Sequence, residues 1–368
     1  MGNLIDYINW RGDLSFRQCK VNKIDCLLFS QIVMLDFSNI VSSSDQTISL
    51  KDAVDIYDKT IGKDKKLGLI VPDEIVNAFY LMAKCDRYKN ILLSNFVREV
   101  NERSQFAAMT LTINNDLNVI AYQGTDDTIA GWIENLDMIW QEEVLAQEKA
   151  IKYLDYIISK HQKKFIVCGH SKGGNLALYA TLKAKEDSFN KIYKTYNFDG
   201  PGIVNDLKNY NSDRLKKIMT YLPHGAIVGM LFTHPEKQKI VRSYRNSLYQ
   251  HDAFSWEIVG KEFSYEKDLI AEVKEIDKNI KIIIDEMDFE SRKLFVETIN
   301  DLLSKTEAKT LIDLSTRKKA FLSNYFKLDK KTRGYFINPI KKLLRSKAIK
   351  SNLFKTFKES ISIKNNKI

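Results

Sequence analysis

Ten consecutive residues constrain this chain more than any others. Phe165-Ile166-Val167-Cys168-Gly169-His170-Ser171-Lys172-Gly173-Gly174 runs from an apolar strand through Gly-x-Ser-x-Gly into helical composition from Asn175. A serine on a sharp strand-to-helix turn sits in a strained backbone conformation, and side chains two residues to either side would collide with neighbouring elements. Such a turn exposes the Ser171 hydroxyl at the carboxyl end of its strand and aims the Lys172 backbone N–H at a substrate oxygen. The pattern predicts a nucleophilic serine; a loop serine or a degenerate site is the other reading.

The surrounding sequence supplies the sheet that such a turn needs. Residues 105–260 alternate short apolar runs with helical patterns, the signature of a parallel α/β sheet. Phe106–Ile113 and Val119–Tyr122 read as strands joined by a hairpin turn at Asn114-Asn115-Asp116. Ala146–Ser159 reads as a helix, Tyr193–Phe198 as a strand stopped by Asp199-Gly200-Pro201-Gly202, and Ile218–Leu222 as another strand. Residues 1–100 look mainly helical, with Pro72-Asp73-Glu74 opening one helix. Residues 262–305 show helical spacing as well. Upstream of the serine, Val119–Tyr122 runs into Gln123-Gly124-Thr125-Asp126-Asp127. Thr125 could offer a backbone N–H and a hydroxyl to an oxyanion, or could simply close a turn.

Taken together, the Gly124-Thr125 strand end, Trp132, Asp137 and the Gly169–Gly174 elbow resemble class 3 lipases. The resemblance is closer still to a bacterial branch of lipase-like α/β-hydrolases known mainly as a domain of unknown function. That branch pairs a Gln-Phe-x-Ala strand start (Gln105-Phe106-Ala107-Ala108) with Gly124-Thr125-Asp126-Asp127, Asp199–Gly202 and a late His251-Asp252-Ala253-Phe254-Ser255-Trp256. It covers roughly residues 1–305 and implies an α/β-hydrolase fold, a mostly parallel sheet flanked by helices. A helical N-terminal region and a helical, basic C-terminal extension would complete the chain. The expected division is a lipase-like domain over 1–305 and the extension over 306–368. Gln123 departs from the arginine of class 3 lipases, which puts any ion pair from that position in doubt.

Five histidines compete for the general base. The fold's chain order is Ser, then acid, then His. His251 fits that order and matches the late histidine of the resemblance, with His224 as runner-up. His170 should point away from the hydroxyl and pack; His161 and His234 read as surface residues. The acid is harder to place, because class 3 lipases would carry an aspartate near Ala226 and none is present. Asp199 ends the preceding strand and is the candidate; an Asx-turn role, or a Ser-His dyad without an acid, is the alternative. Asp206 and Asp213 read as solvated.

The expected function is therefore a serine esterase or lipase. His251 would take the Ser171 proton during attack on an ester carbonyl, Asp199 would fix its tautomer, and Lys172 N–H with Thr125 would bind the oxyanion. Each oxyanion donor is worth about 3 kcal/mol in other hydrolases. No metal or organic cofactor is needed. Asp126–Gln141 reads as a lid or acyl-pocket wall, or equally as an amphipathic helix on the sheet. The alternative function is a weak or inactive hydrolase-fold protein that binds a lipid or protein partner.

Charge and cysteine content bound the rest. From Ala308 onward the chain holds seventeen Lys/Arg and three acids, whereas the first 307 residues hold 40 basic and 44 acidic residues. The basic stretch over 308–368, interleaved with Phe, Tyr and Leu, could lie on an anionic membrane; a solvated helical cap is the blander reading, and nucleic acid is the less favoured partner. Four cysteines without CxxC spacing argue against a zinc site or a disulfide frame. No apolar run approaches the 18 residues of a membrane span, and Met1–Asp6 shows neither a secretory nor a myristoylation pattern. The expectation is a cytoplasmic protein, peripheral on the membrane if the tail docks there.

Overall fold

A computed structural model describes residues 2–68, 70–204 and 211–365. In chain order its strands are β1 (Ile48–Ser49), β2 (Leu92–Val100), β3 (Gln105–Thr112), β4 (Leu117–Tyr122), β5 (Lys164–His170) and β6 (Ile192–Phe198). They continue with β7 (Ile218–Pro223), β8 (Lys237–Val241), β9 (Ile258–Val259), β10 (Glu262–Phe263) and β11 (Tyr265–Glu266). Nine of them form one sheet in the order β1-β2-β3-β4-β5-β6-β7-β8-β11; β9 and β10 make a separate ladder. β4 through β8 run parallel, and the strands outside that block pair antiparallel.

Side-chain alternation explains why this sheet is covered on both faces. Ile120 and Tyr122 of β4, with Phe165 and Val167 of β5, pack with Leu176, Ala177 and Ala180 of helix Lys172–Lys183 and with Leu154 of helix Leu145–Ser159. The intervening residues Val119, Ala121, Ile166 and Cys168 face Leu27, Leu28 and other residues of the N-terminal helices. A one-residue slip of register would exchange the two faces and break both cores. The β3–β4 hairpin closes where Asn114-Asn115-Asp116 supplies an Asx turn, the Asp116 N–H donating to Asn114 Oδ1 at 2.9 Å. The fold is an α/β-hydrolase fold.

Two regions differ from the sequence reading. Residues 1–100 are not all helical, because β1 and β2 extend the sheet beyond β3. β2 escapes a period-two reading because its register shifts between Ser94 and Val97, where Asn95 takes a left-handed φ of 52°. Residues 262–305 begin with the short strands β10 and β11 before helices Ala271–Asp285 and Phe289–Ser304. Phe263 is drawn there into an aromatic cluster, 5.6 Å from Trp256 and 5.1 Å from Tyr221 by ring centroids. Asp213 opens a short helix and pairs with Lys216 at the surface. Asp206 lies outside the described residues.

Candidate active site

The elbow is built by steric exclusion. Ser171 sits between β5 and helix Lys172–Lys183 with φ 56° and ψ −131°, a region costly to an L-residue by about 1–3 kcal/mol. Its N–H donates to the Phe198 carbonyl at 2.9 Å, and its own carbonyl accepts from Gly174 N–H at 2.8 Å. A Cβ on Gly169 would lie 2.0 Å from the Gly173 oxygen, and one on Gly173 would lie 2.3 Å from the Tyr122 oxygen. Both glycines are therefore obligatory. Lys172 is the first helical residue, so its N–H has no partner in the helix ladder.

β6 ends beside β5 and delivers a carboxylate to the same edge of the sheet. Asp199, fully buried with φ 48°, accepts from His251 Nδ1 at 2.6 Å through Oδ2 and from the Gly229 N–H at 3.1 Å through Oδ1. Burial pushes its carboxyl above the ordinary range, and the bond to His251 opposes that shift. His251 closes the 3-10 turn Ser247–His251 and keeps 27% of its side chain exposed. The ring of His170, one residue before Ser171, lies tilted against it at 4.7 Å between centroids and meets the His251 carbonyl through Nε2 at 2.9 Å. Burial keeps His170 well below the ordinary histidine pKa, so it stays neutral and fills a packing and positioning role. Ser171, Asp199 and His251 thus gather at the carboxyl ends of β5 and β6. His224 does not join them; its Nδ1 accepts from the Ser243 N–H at 3.4 Å and Nε2 faces Gln250.

The segment after β7 solves the problem of the aspartate absent near Ala226. It contributes the Gly229 N–H to Asp199 instead, and a Cβ on Gly229 would lie 2.2 Å from Asp199 Oδ1. His234 grips the same turn from behind. Its Nε2 meets the Gly229 carbonyl at 2.6 Å and its Nδ1 meets Glu236 Oε1 at 2.7 Å, with Thr220 donating to that same oxygen. His234 is a core residue with a 4% exposed side chain, not a surface one. Its lone position in a Thr-His-Pro turn concealed this, because the buried partner Glu236 arrives on the approach to β8. His161 is also only half-exposed, its ring tilted on Phe165 at 6.2 Å.

The opposite flank holds the candidate oxyanion donors. Gly124 lies against the elbow, since a Cβ there would stand 2.8 Å from the His170 oxygen and 3.4 Å from Ser171 Cβ. Thr125 follows, buried, its hydroxyl oxygen accepting from Asn135 Nδ2 at 2.8 Å and so keeping its proton free to donate. Beneath it Lys172 turns its side chain inward, Nζ donating to Glu134 Oε2 at 2.7 Å and to the Gln105 carbonyl at 2.5 Å. Glu134 also accepts from the Gln105 N–H at 3.0 Å and the Ala146 N–H at 2.9 Å. One carboxylate therefore ties β3, helix Leu145–Ser159 and the elbow. Burial lowers the Lys172 pKa against the pull of Glu134. Gln123 makes a neutral bond to Gln105 at 3.1 Å, and the buried cation stands at Lys172 instead.

Helix Ile129–Asp137 carries Glu134 on its inner face with Ile129 and Ile133, while Trp132 is 40% exposed. It is an amphipathic helix, packed between the sheet and Leu303 and Ala308. The carboxyl of Asp137 is pushed up by burial and accepts from Trp140 Nε1 at 2.9 Å. Among the described residues no cluster of His, Cys, Asp or Glu is arranged to hold a metal. What the site contains is a strained hydroxyl, a carboxylate-bound imidazole on the same sheet edge, and a free helix N-terminus beside a buried threonine.

The model of the Mbeg1-like family matches residues 82–301, which include every site residue named above. Among solved structures, a mutant form of MDLA from Penicillium cyclopium is 15% identical with a TM-score of 0.34, covering 67% of this chain and 87% of that one. M37 lipase is 14% identical with a TM-score of 0.32, covering 57% of this chain and 70% of that one. No curated protein matches the sequence.

Proposed function

The chain belongs to the Mbeg1-like family, and on that footing we propose that it is a serine hydrolase of acyl esters working through Ser171, His251 and Asp199. The observation that carries this reading is the 2.6 Å bond between His251 Nδ1 and Asp199 at the tip of the strand beside Ser171. That bond fixes the proton on Nδ1 and leaves Nε2 as the base.

In this reading Nε2 removes the Ser171 proton as Oγ attacks the ester carbonyl. The electron pair of the C=O moves onto oxygen, where the Lys172 N–H and Thr125 receive it. Collapse of the tetrahedral adduct expels the alcohol, which takes the proton back from Nε2 and leaves an acyl-serine. Water, deprotonated by the same nitrogen, then releases the carboxylic acid. Asp199 stays ionised throughout, and its burial with a single imidazole and one N–H favours the charged ring during transfer. The acyl chain and alcohol are set by the walls above Ser171, for which the lipid esters are the proposed class.

A fluorophosphonate probe applied to wild type and Ser171→Ala, followed by esters of increasing acyl length, tests the proposal. Stoichiometric labelling lost in Ser171→Ala is expected. Folded wild type that stays unlabelled and turns over no ester of the series contradicts it.

A further inference from the structure

The C-terminal helices Leu311–Thr316, Lys318–Lys327, Lys330–Arg345 and Lys347–Asn365 hold most of the seventeen cations found after residue 307. Their inner face is already used. Phe336 stacks on Phe295 of helix Phe289–Ser304 at 6.2 Å and leans on Tyr325 at 5.5 Å. The apolar groups on the outer face are thus surplus to the core. Lys319, Leu322 and Phe326 follow at i, i+3 and i+7 on one helix face, with Leu322 52% and Phe326 66% exposed. Leu344 and Leu353, one on each of the next two helices, are likewise 44% and 47% exposed. Arg317, Lys342 and Lys355 pair with Glu307, Glu286 and Glu272. Lys318, Lys319, Lys327 and Lys330 pair with no acid among the described residues.

The layer is joined to both flanks of the active site. The Ile129 N–H donates to the Lys309 carbonyl at 2.9 Å and the Leu311 N–H to the Asp127 carbonyl at 3.0 Å, directly after the Gly124-Thr125 strand end. Helix Lys347–Asn365 packs on the Ser247–His251 turn.

We propose that the C-terminal helical layer docks on an anionic phospholipid bilayer, its lysines among the headgroups and Leu322 and Phe326 at the acyl boundary. Charge complementarity selects an anionic partner, and the outward apolar side chains select one with hydrocarbon to receive them. Beside helix Lys330–Arg345, a cavity of about 350 Å³ sets Lys330 and Lys331 near Ile283 and Met287, with Glu286 of the same lining neutralised by Lys342. The apolar part of that lining has a counterpart in the acyl chains of a phospholipid and none in a phosphodiester backbone. No helix among the described residues is long and apolar enough to cross a membrane; the proposed docking lays the helices in the interface plane.

The test is flotation of the full chain with vesicles of phosphatidylglycerol and phosphatidylcholine, or of phosphatidylcholine alone, with duplex DNA as competitor. Wild type is expected to float only with the anionic vesicles and to be released by raised salt. Lys318→Gln, Lys319→Gln, Lys327→Gln and Lys330→Gln combined should weaken partition about a thousandfold at low salt. Leu322→Ala with Phe326→Ala should weaken it about tenfold, with melting temperatures of both variants unchanged. Wild type left unfloated, variants that float like wild type, or preference for DNA at equal phosphate overturns the proposal. Probe labelling of Ser171 reads the hydrolase chemistry separately, so either reading can fail alone.

Discussion

The two flanks of Ser171 each hold a buried carboxylate with a basic partner, yet they are built for opposite ends. On the flank proposed for acid–base work, Asp199 meets a ring that is 27% exposed. On the oxyanion flank, the Lys172–Glu134 pair is 0% and 1% exposed, and Glu134 accepts two further backbone N–H bonds. The first arrangement leaves one nitrogen free for chemistry. The second commits the Lys172 side chain and both oxygens of Glu134 to holding backbone in place. In the proposed reading, exposure of one partner separates the pair that exchanges a proton from the pair that holds the scaffold.

That contrast is sharpened by removing one member from each flank. His251→Ala should lower kcat about 10⁶-fold with the melting temperature nearly unchanged, as expected of a group acting in concert with the nucleophile. Asp199→Asn, read in the same ester assay, should cost about 10⁴-fold through the wrong imidazole tautomer. Lys172→Met should do the reverse, destabilising the fold by about 3–5 kcal/mol in urea melts because Glu134 is left buried without its cation. Adding Glu134→Leu should recover much of that loss. If Lys172→Met instead kept full stability and lost activity, the flanks would not differ as described.

Two smaller effects belong to the acid–base flank. Burial pushes the Asp252 carboxyl up to about 6, with Arg245 3.5 Å away opposing the shift. A carboxyl whose folded pKa exceeds its unfolded value binds more protons in the native state, so stability falls as pH rises from about 4 to about 6. Comparing urea melts of wild type and Asp252→Asn across that window should show a difference of about 2–3 kcal/mol, largest above pH 6. Gly229→Ala should cost about a hundredfold in kcat, since its methyl would press on Asp199 Oδ1 and displace the acid. An unchanged kcat would show that the turn does not hold Asp199.

The sequence carried the local parts of this site and not the remote ones. The elbow was legible because strand, glycines and helix lie within ten residues, and Asp199 because Gly200-Pro201-Gly202 marks a forced stop. The inward turn of Lys172 was invisible, since Glu134 stands 38 positions away in the sequence. His234 was misread for the same reason, its partners being a carbonyl five residues back and a glutamate buried against Thr220. In the fold, the parallel core followed from apolar runs, whereas the bulge in β2 shifted its alternation and hid a strand.

Acid-quenched mass spectrometry of the acyl-enzyme formed with a p-nitrophenyl ester tests the central claim most directly. The account predicts one acyl group on the peptide containing Ser171, appearing with the burst of nitrophenol, absent in Ser171→Ala and greatly slowed in His251→Ala. Turnover with no acyl adduct, or with the adduct on another residue, would contradict it.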